Sequence, residues 1–183
     1  VWDLTQRPRR DRRRRRARAD VVILDAPSTG HAVALLGAPG TFAAVGSTGP
    51  VATQAQAIDA FLHDRRRTAV VAVATAEELA VAETLLLRDA LRTALRLEVD
   101  RVVVDGLLPD RFSPAELRAV DALRPSPARR AVRSAATRAA QQRRELEHLR
   151  AGLPGVPVAT LPFVFAPALG PRDLERLSRV LDR

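Results

Sequence analysis

The chain predicts an α/β protein, a parallel sheet with helices on both faces, and three observations carry that prediction. Apolar runs of four to seven residues recur between long amphipathic stretches, the alternation produced by βα units around a buried parallel sheet. Two of these runs end in an acidic residue, Asp25 and Asp105, followed by turn-forming residues. Ser113-Pro114-Ala115-Glu116 then supplies an N-cap, a Pro at the first helical position and a Glu at the third, a strong helix start.

Taken in order, Val21 to Leu24 reads as a first buried strand ending at Asp25, with a loop from Ala26 to Gly30 and a helix opening over His31 to Leu36. Pro39-Gly40 and Gly46 to Pro50 read as breakers, and Val51 to His63 as a helix with Ile58, Phe61 and Leu62 on one side. Ala69 to Val73 is the second buried strand, and Thr75 the expected N-cap of a helix that carries Glu77 and Glu78 in its first turn and runs to about Leu95. Val102 to Val104 is the third strand. After the helix that starts at Ser113, a long polar helix is expected from Arg129 to Arg150, anchored by Leu146 and Leu149. Val156 to Leu161 is the fourth strand, and Gly170 to Asp173 opens a terminal helix with Leu174, Leu177, Val180 and Leu181 at helical spacing. No internal repeat is evident.

Composition bounds the function. An apolar share of 46% over 183 residues is enough for one domain with a real core. All 30 basic residues are Arg, and Lys, Met, Cys, Tyr and Asn are absent, a skew that fits a GC-rich coding sequence. Without Cys there are no disulfides, thiolate zinc sites or cysteine nucleophiles. No apolar run approaches the roughly 20 residues of a membrane span, so the expectation is a cytoplasmic protein. Of the formal charge of +9, residues 1–20 hold +6, from nine Arg and three Asp. Such an arm attracts phosphate backbones, but it lacks aromatic interleaving and helical period, so nucleic-acid binding is the disfavoured reading and a solvated arm the favoured one.

In open α/β sheets ligands bind beyond the carboxyl ends of the strands. At the first such end stand Asp25, Thr29, Gly30 and His31. An Asp there can hold a Mg²⁺-bound water, and a Gly close behind lets a backbone N–H approach a γ-phosphate and move when it leaves. Read singly, the same residues are a helix cap, a turn glycine and a helix-end histidine. Asp105 to Pro109 and the run Pro162-Phe163-Val164-Phe165 follow the later strands; a polar side chain beside a Pro/Phe loop could meet the edge and face of a purine. Read singly, these are a loop Asp and core Phe.

Together, DAPSTGH at Asp25 to His31, VVVDGLLPD ending at Asp110 and LPFVFAPALG ending at Gly170 resemble, in this order, the ArsA-type anion-transporting ATPases and the related tail-anchored-protein targeting ATPases. The switch of that family, DTAPTGH, is matched at Asp25, Thr29, Gly30 and His31; its adenine-site VVNxxxP at Val103, Val104 and Pro109; and its late Pro-containing loop at Pro162 to Gly170. The likeness spans residues 21–183. It implies an incomplete P-loop NTPase fold of the deviant Walker A class, with ATP and Mg²⁺ as cofactors and Mg²⁺ held by Asp25 through water. It further implies catalytic switch residues Asp25, Thr29, Gly30 and His31, an adenine site formed by Asp105, Pro109, Pro162 and Phe163, and a homodimer or a complete ATPase subunit as partner.

The departures are equally definite. The motif GKGGVGKT is absent and a chain without Lys cannot hold one, so the chain alone is expected not to hydrolyse ATP. Asp105 stands where the family has Asn, which keeps an acceptor and loses the amide donor. Neither the thiol metalloid site nor the CxxC zinc of the relatives can exist without Cys, and a segment from Ala38 to His63 without Met speaks against a tail-anchor groove. Residues 1–20 are expected to be an Arg-rich arm, disordered or a mis-assigned start of the reading frame, and residues 21–183 the carboxyl-terminal part of an ArsA-like domain. Two alternatives stand beside this: a non-catalytic partner subunit of a complete ATPase, and an Arg-rich nucleic-acid-binding protein. Loss of a neighbouring strand would leave Val21 to Leu24 as an unpaired edge, so the isolated chain is expected to fold poorly or to associate.

Overall fold

The computed structural model describes residues 21–27, 29–45 and 49–181; the Arg-rich arm and Gly46 of the expected second breaker lie outside them. Two compact units divide the chain, the first ending at Thr68 and the second beginning at Ala69.

The first unit is helical. Helix α1 runs Thr29–Val45 and α2 Pro50–His63, and the two pack on one another through small side chains, with Ala32, Ala52 and Ala55 buried. The helix therefore begins within the expected loop, at Thr29, and continues through the expected breaker at Pro39. Pro39 removes the hydrogen bond to the Leu35 carbonyl and its ring crowds that carbonyl, yet the helix stays continuous. Gly40 lets α2 come close, since a Cβ there would stand 3.1 Å from Asp59 Oδ1. Pro50 occupies the first turn of α2, where its missing N–H costs nothing. Val21 to Leu24, expected as a buried strand, pairs with no other described segment and is largely exposed, Ile23 at 89%. A strand exists only as one side of a ladder, and no described neighbour offers the other side.

The second unit holds a parallel sheet in the order β1-β2-β3, formed by Val71–Thr75, Arg101–Leu107 and Val158–Pro162. Ala72 is level with Val102 and Ala74 with Val104, and Val102 and Val104 are level with Val158 and Thr160. Side chains at equal register share a face. Ala72, Ala74, Val102 and Val104 are accordingly buried together, beneath helix α3 (Glu78–Ala90), which packs on β1, and helix α5 (Pro127–Gly152), which packs on β2. Val81, Leu91, Leu149 and Leu153 complete this core. On the other face Val103 is buried, whereas Val71 and Val73 are 52% and 71% exposed. β1 is thus covered on one face only, because it is an edge strand whose inward residues are alanines.

The connections explain the boundaries. Thr75 is the last residue of β1 rather than a cap; Glu77, extended at φ −124°, precedes α3 and makes no side-chain cap bond. A π-helical turn, Leu91–Leu95, closes α3 and stops at Arg96, left-handed at φ 55°. Ser113 caps helix α4 (Pro114–Ala122) through the expected reciprocal box with Glu116. Ser126 caps α5 by accepting from Arg129 N–H, so the helix starts two residues before Arg129. Helix α6 (Pro171–Leu181) packs against β3.

Candidate functional site

The carboxyl ends of β2 and β3 form the best-defined constellation. Between Val104, level with Thr160, and Leu107, level with Pro162, β2 spends three steps where β3 spends two, which is a bulge. Gly106 absorbs it at φ 72°, a conformation that other residues adopt only with strain. The bulge leaves Asp105 exposed, with one carboxylate oxygen accepting the Gly106 N–H at 2.8 Å. A side chain at Gly106 would reach within 3.9 Å of Phe163 Cδ2, and Phe163 N–H donates to the Leu107 carbonyl at 2.8 Å. The two loops are thereby held side by side.

Aromatic surface lines the β3 side. Phe163 and Phe165 meet edge to face with centroids 4.8 Å apart, and both remain about half exposed, at 48% and 59%. The Arg111 guanidinium lies 4.2 Å from the Phe165 centroid, a cation–π contact. Pro109 and Pro162 are exposed on the same pair of loops. Asp105, Pro109, Pro162 and Phe163, singled out from sequence, thus occur on two adjacent strand ends. The Phe are not core residues.

Three residues of this constellation were not singled out from sequence. Gln142, on α5, donates from Nε2 to the Gly106 carbonyl at 3.2 Å and accepts the Leu108 N–H at 2.8 Å through Oε1. The next residue, Arg143, pairs with Asp110 at 3.1 Å, and Arg111 sits on Phe165. A signal for Gln142 existed: Ala139, Leu146 and Leu149 form the buried stripe of α5, and Gln142 falls on that stripe at helical spacing. A polar residue on an apolar stripe has a polar partner to meet.

The switch residues belong to the first unit. Asp25 is exposed in irregular backbone, Thr29 starts α1, and Gly30 and His31 lie in its first turn, His31 exposed. Among the described residues no group of three or more His, Asp or Glu side chains could hold a metal ion. A single exposed carboxylate nonetheless fits Mg²⁺, which keeps most of its waters and takes one or two carboxylates beside the phosphates.

The model of the anion-transporting ATPase family matches residues 44–183. The chain belongs to that family. The matched span contains α2, the whole second unit and the Asp105 and Phe163 loops, and it begins after the DAPSTGH segment. No curated protein matches the chain. Among the described residues of this family member, no helix is long and apolar enough to cross a membrane.

Proposed function

We propose that this anion-transporting ATPase family member binds Mg·ATP, with the base at the β2–β3 loops, and that the Asp25–His31 segment is its switch by family likeness. The observation that carries the reading is the Gly106 bulge. It sets an exposed hydrogen-bonding carboxylate, Asp105, next to an exposed aromatic surface, Phe163, in the part of the chain that matches an ATPase family. A purine needs one polar edge contact and one stacking face, and these residues supply both types.

Bound Mg²⁺ would offset charge on the phosphate oxygens, the chemistry on which phosphoryl transfer depends. Asp25 would hold it through a coordinated water. Gly30 keeps the backbone of the first helical turn free of a side chain, with no atom within 4 Å of a Cβ position. The start of α1 is then open for a phosphate oxygen to approach its N–H groups. Thr29 and His31 complete the switch by family likeness. The sequence holds no Lys, so hydrolysis requires a phosphate-gripping group that it does not contain, supplied by a complete ATPase subunit in a cytoplasmic assembly.

Titration calorimetry with Mg·ATP tests the reading. Micromolar binding is expected for the chain, weakened about tenfold or more by Asp105→Ala, which deletes the edge contact, and lost with Asp25→Ala, which deletes the switch carboxylate. Hydrolysis on the same samples should stay at background. Absence of binding in the unsubstituted chain, or equal affinity in all three proteins, would sink the proposal.

A further inference from the structure

We infer that Gln142 is the positioning residue of the base loop, making α5 the element that sets how tightly and how selectively a purine is held. The inference rests on the reading of the β2–β3 loops as a base site. Its structural half, that Gln142 holds the loop, stands without it.

Inside a parallel sheet the carbonyls and N–H groups of a strand are satisfied by its neighbours, but a bulge breaks the ladder, and the groups just beyond it must find other partners. Gly106 C=O and Leu108 N–H are such groups, an acceptor and a donor two residues apart, both half-buried. One primary amide answers both: Gln142 Nε2 donates to Gly106 at 3.2 Å and Gln142 Oε1 accepts from Leu108 at 2.8 Å. A primary amide presents a donor and an acceptor side by side on one planar group; among the twenty side chains only Asn and Gln carry one, and Asn is shorter by one methylene. The amide is held in turn by its place on the Ala139, Leu146 and Leu149 stripe, which fixes α5 against the sheet.

The hydrogen bonds of Gln142 go to the Gly106 carbonyl and the Leu108 N–H. They act on these peptide units, fixing the turn from which Asp105 projects and the side of the loop that Phe163 approaches. Selectivity between adenine and guanine depends on edge contacts placed to within a fraction of an ångström, whereas stacking on an aromatic face is common to both. A loosened loop should therefore lose discrimination more than it loses stacking.

The test uses the full chain, Gln142→Leu and Gln142→Glu, with amide exchange of Leu108 followed by NMR and affinities for Mg·ATP and Mg·GTP by calorimetry. Leu removes both hydrogen bonds; Glu keeps an acceptor for Leu108 and sets an oxygen against the Gly106 carbonyl. For Gln142→Leu we expect Leu108 to exchange roughly tenfold faster and the ratio of the two affinities to move towards one, beyond any change in melting temperature. Gln142→Glu should keep Leu108 protected and still lose selectivity. Unchanged Leu108 exchange in the Leu variant would refute the clamp itself. Faster exchange with an unchanged affinity ratio would make Gln142 merely structural and overturn the inference. If neither nucleotide binds the parent chain, the base-site reading falls and the selectivity claim with it, while the exchange result still decides whether Gln142 holds the loop.

Discussion

Leu149→Ala isolates how α5 is attached to the sheet. The helix spans 26 residues, yet only Ala139, Leu146 and Leu149 are buried along it, and Leu149 alone is fully so at 0% exposure. Truncation removes three buried carbons at about 0.8 kcal/mol each and leaves a cavity in the core, for a total loss of about 3 kcal/mol. For a unit of this size, each kcal/mol lowers the melting temperature by roughly 4 °C, so a fall of about 12 °C is expected. The control is Leu86→Ala on α3: Leu86 is 67% exposed, and its truncation should cost about 0.5 kcal/mol or less. Thermal unfolding followed by circular dichroism, with urea midpoints as a check, compares the two. If Leu149→Ala melts within 3 °C of Leu86→Ala, α5 is not packed on the sheet through this residue, and the argument that α5 positions the Gly106 bulge loses its foundation.

Two further outcomes follow from local geometry. Gly106→Ala places a β-carbon at φ 72°, which should cost about 1–2 kcal/mol and weaken Mg·ATP binding; an unfolding midpoint equal to the parent's would show that no left-handed residue is needed there. The Glu116 carboxyl is held below its ordinary value, first by the Ser113 backbone N–H and then by the Ser113 hydroxyl. A carboxylate whose folded value is depressed adds stability above its unfolded value, near the ordinary 4.5, and loses it as pH falls through the folded value. The difference in melting temperature between the parent and Glu116→Gln should therefore be full at pH 7 and vanish in the acid range, and a difference independent of pH would refute this account.

How legible each feature was depends on how local its cause is. The helix at Ser113 was readable because a capping box is a contact between residues three apart, and both hydrogen bonds of the box are present. The parallel sheet was readable from apolar runs, but its strand ends were displaced by one to three residues, since register between strands decides where a ladder stops. The Gly106 bulge could not be read: a glycine after Asp105 is equally an ordinary turn, and only the unequal spacing of β2 against β3 shows the extra residue. Gln142 was readable in principle, as the polar member of a buried stripe, but its partners lie 34 and 36 residues away in sequence. Pro39 misled for the opposite reason. The rule against internal prolines is local, whereas the packing of α1 on α2 that keeps the helix continuous is not.

The sharpest contrast is between two runs of equal local strength. Val21-Val22-Ile23-Leu24 has the higher content of β-branched and large apolar residues, and Val71–Thr75 alternates Val with Ala; on propensity alone the first is the better strand. The second becomes β1 and the first joins no sheet among the described residues. Propensity measures how well a side chain fits a pleated surface, and that surface exists only where a neighbour supplies hydrogen bonds and a helix supplies cover. β1 has β2 in register along all five of its residues and α3 against it. The helix supplying that cover comes directly after β1 in sequence, so the crossover back to β2 itself covers Ala72 and Ala74. Val21 to Leu24 is followed instead by α1, which finds its partner in α2. It is the destination of the following helix, more than the apolar run itself, that separates a strand from an exposed extended segment in this chain.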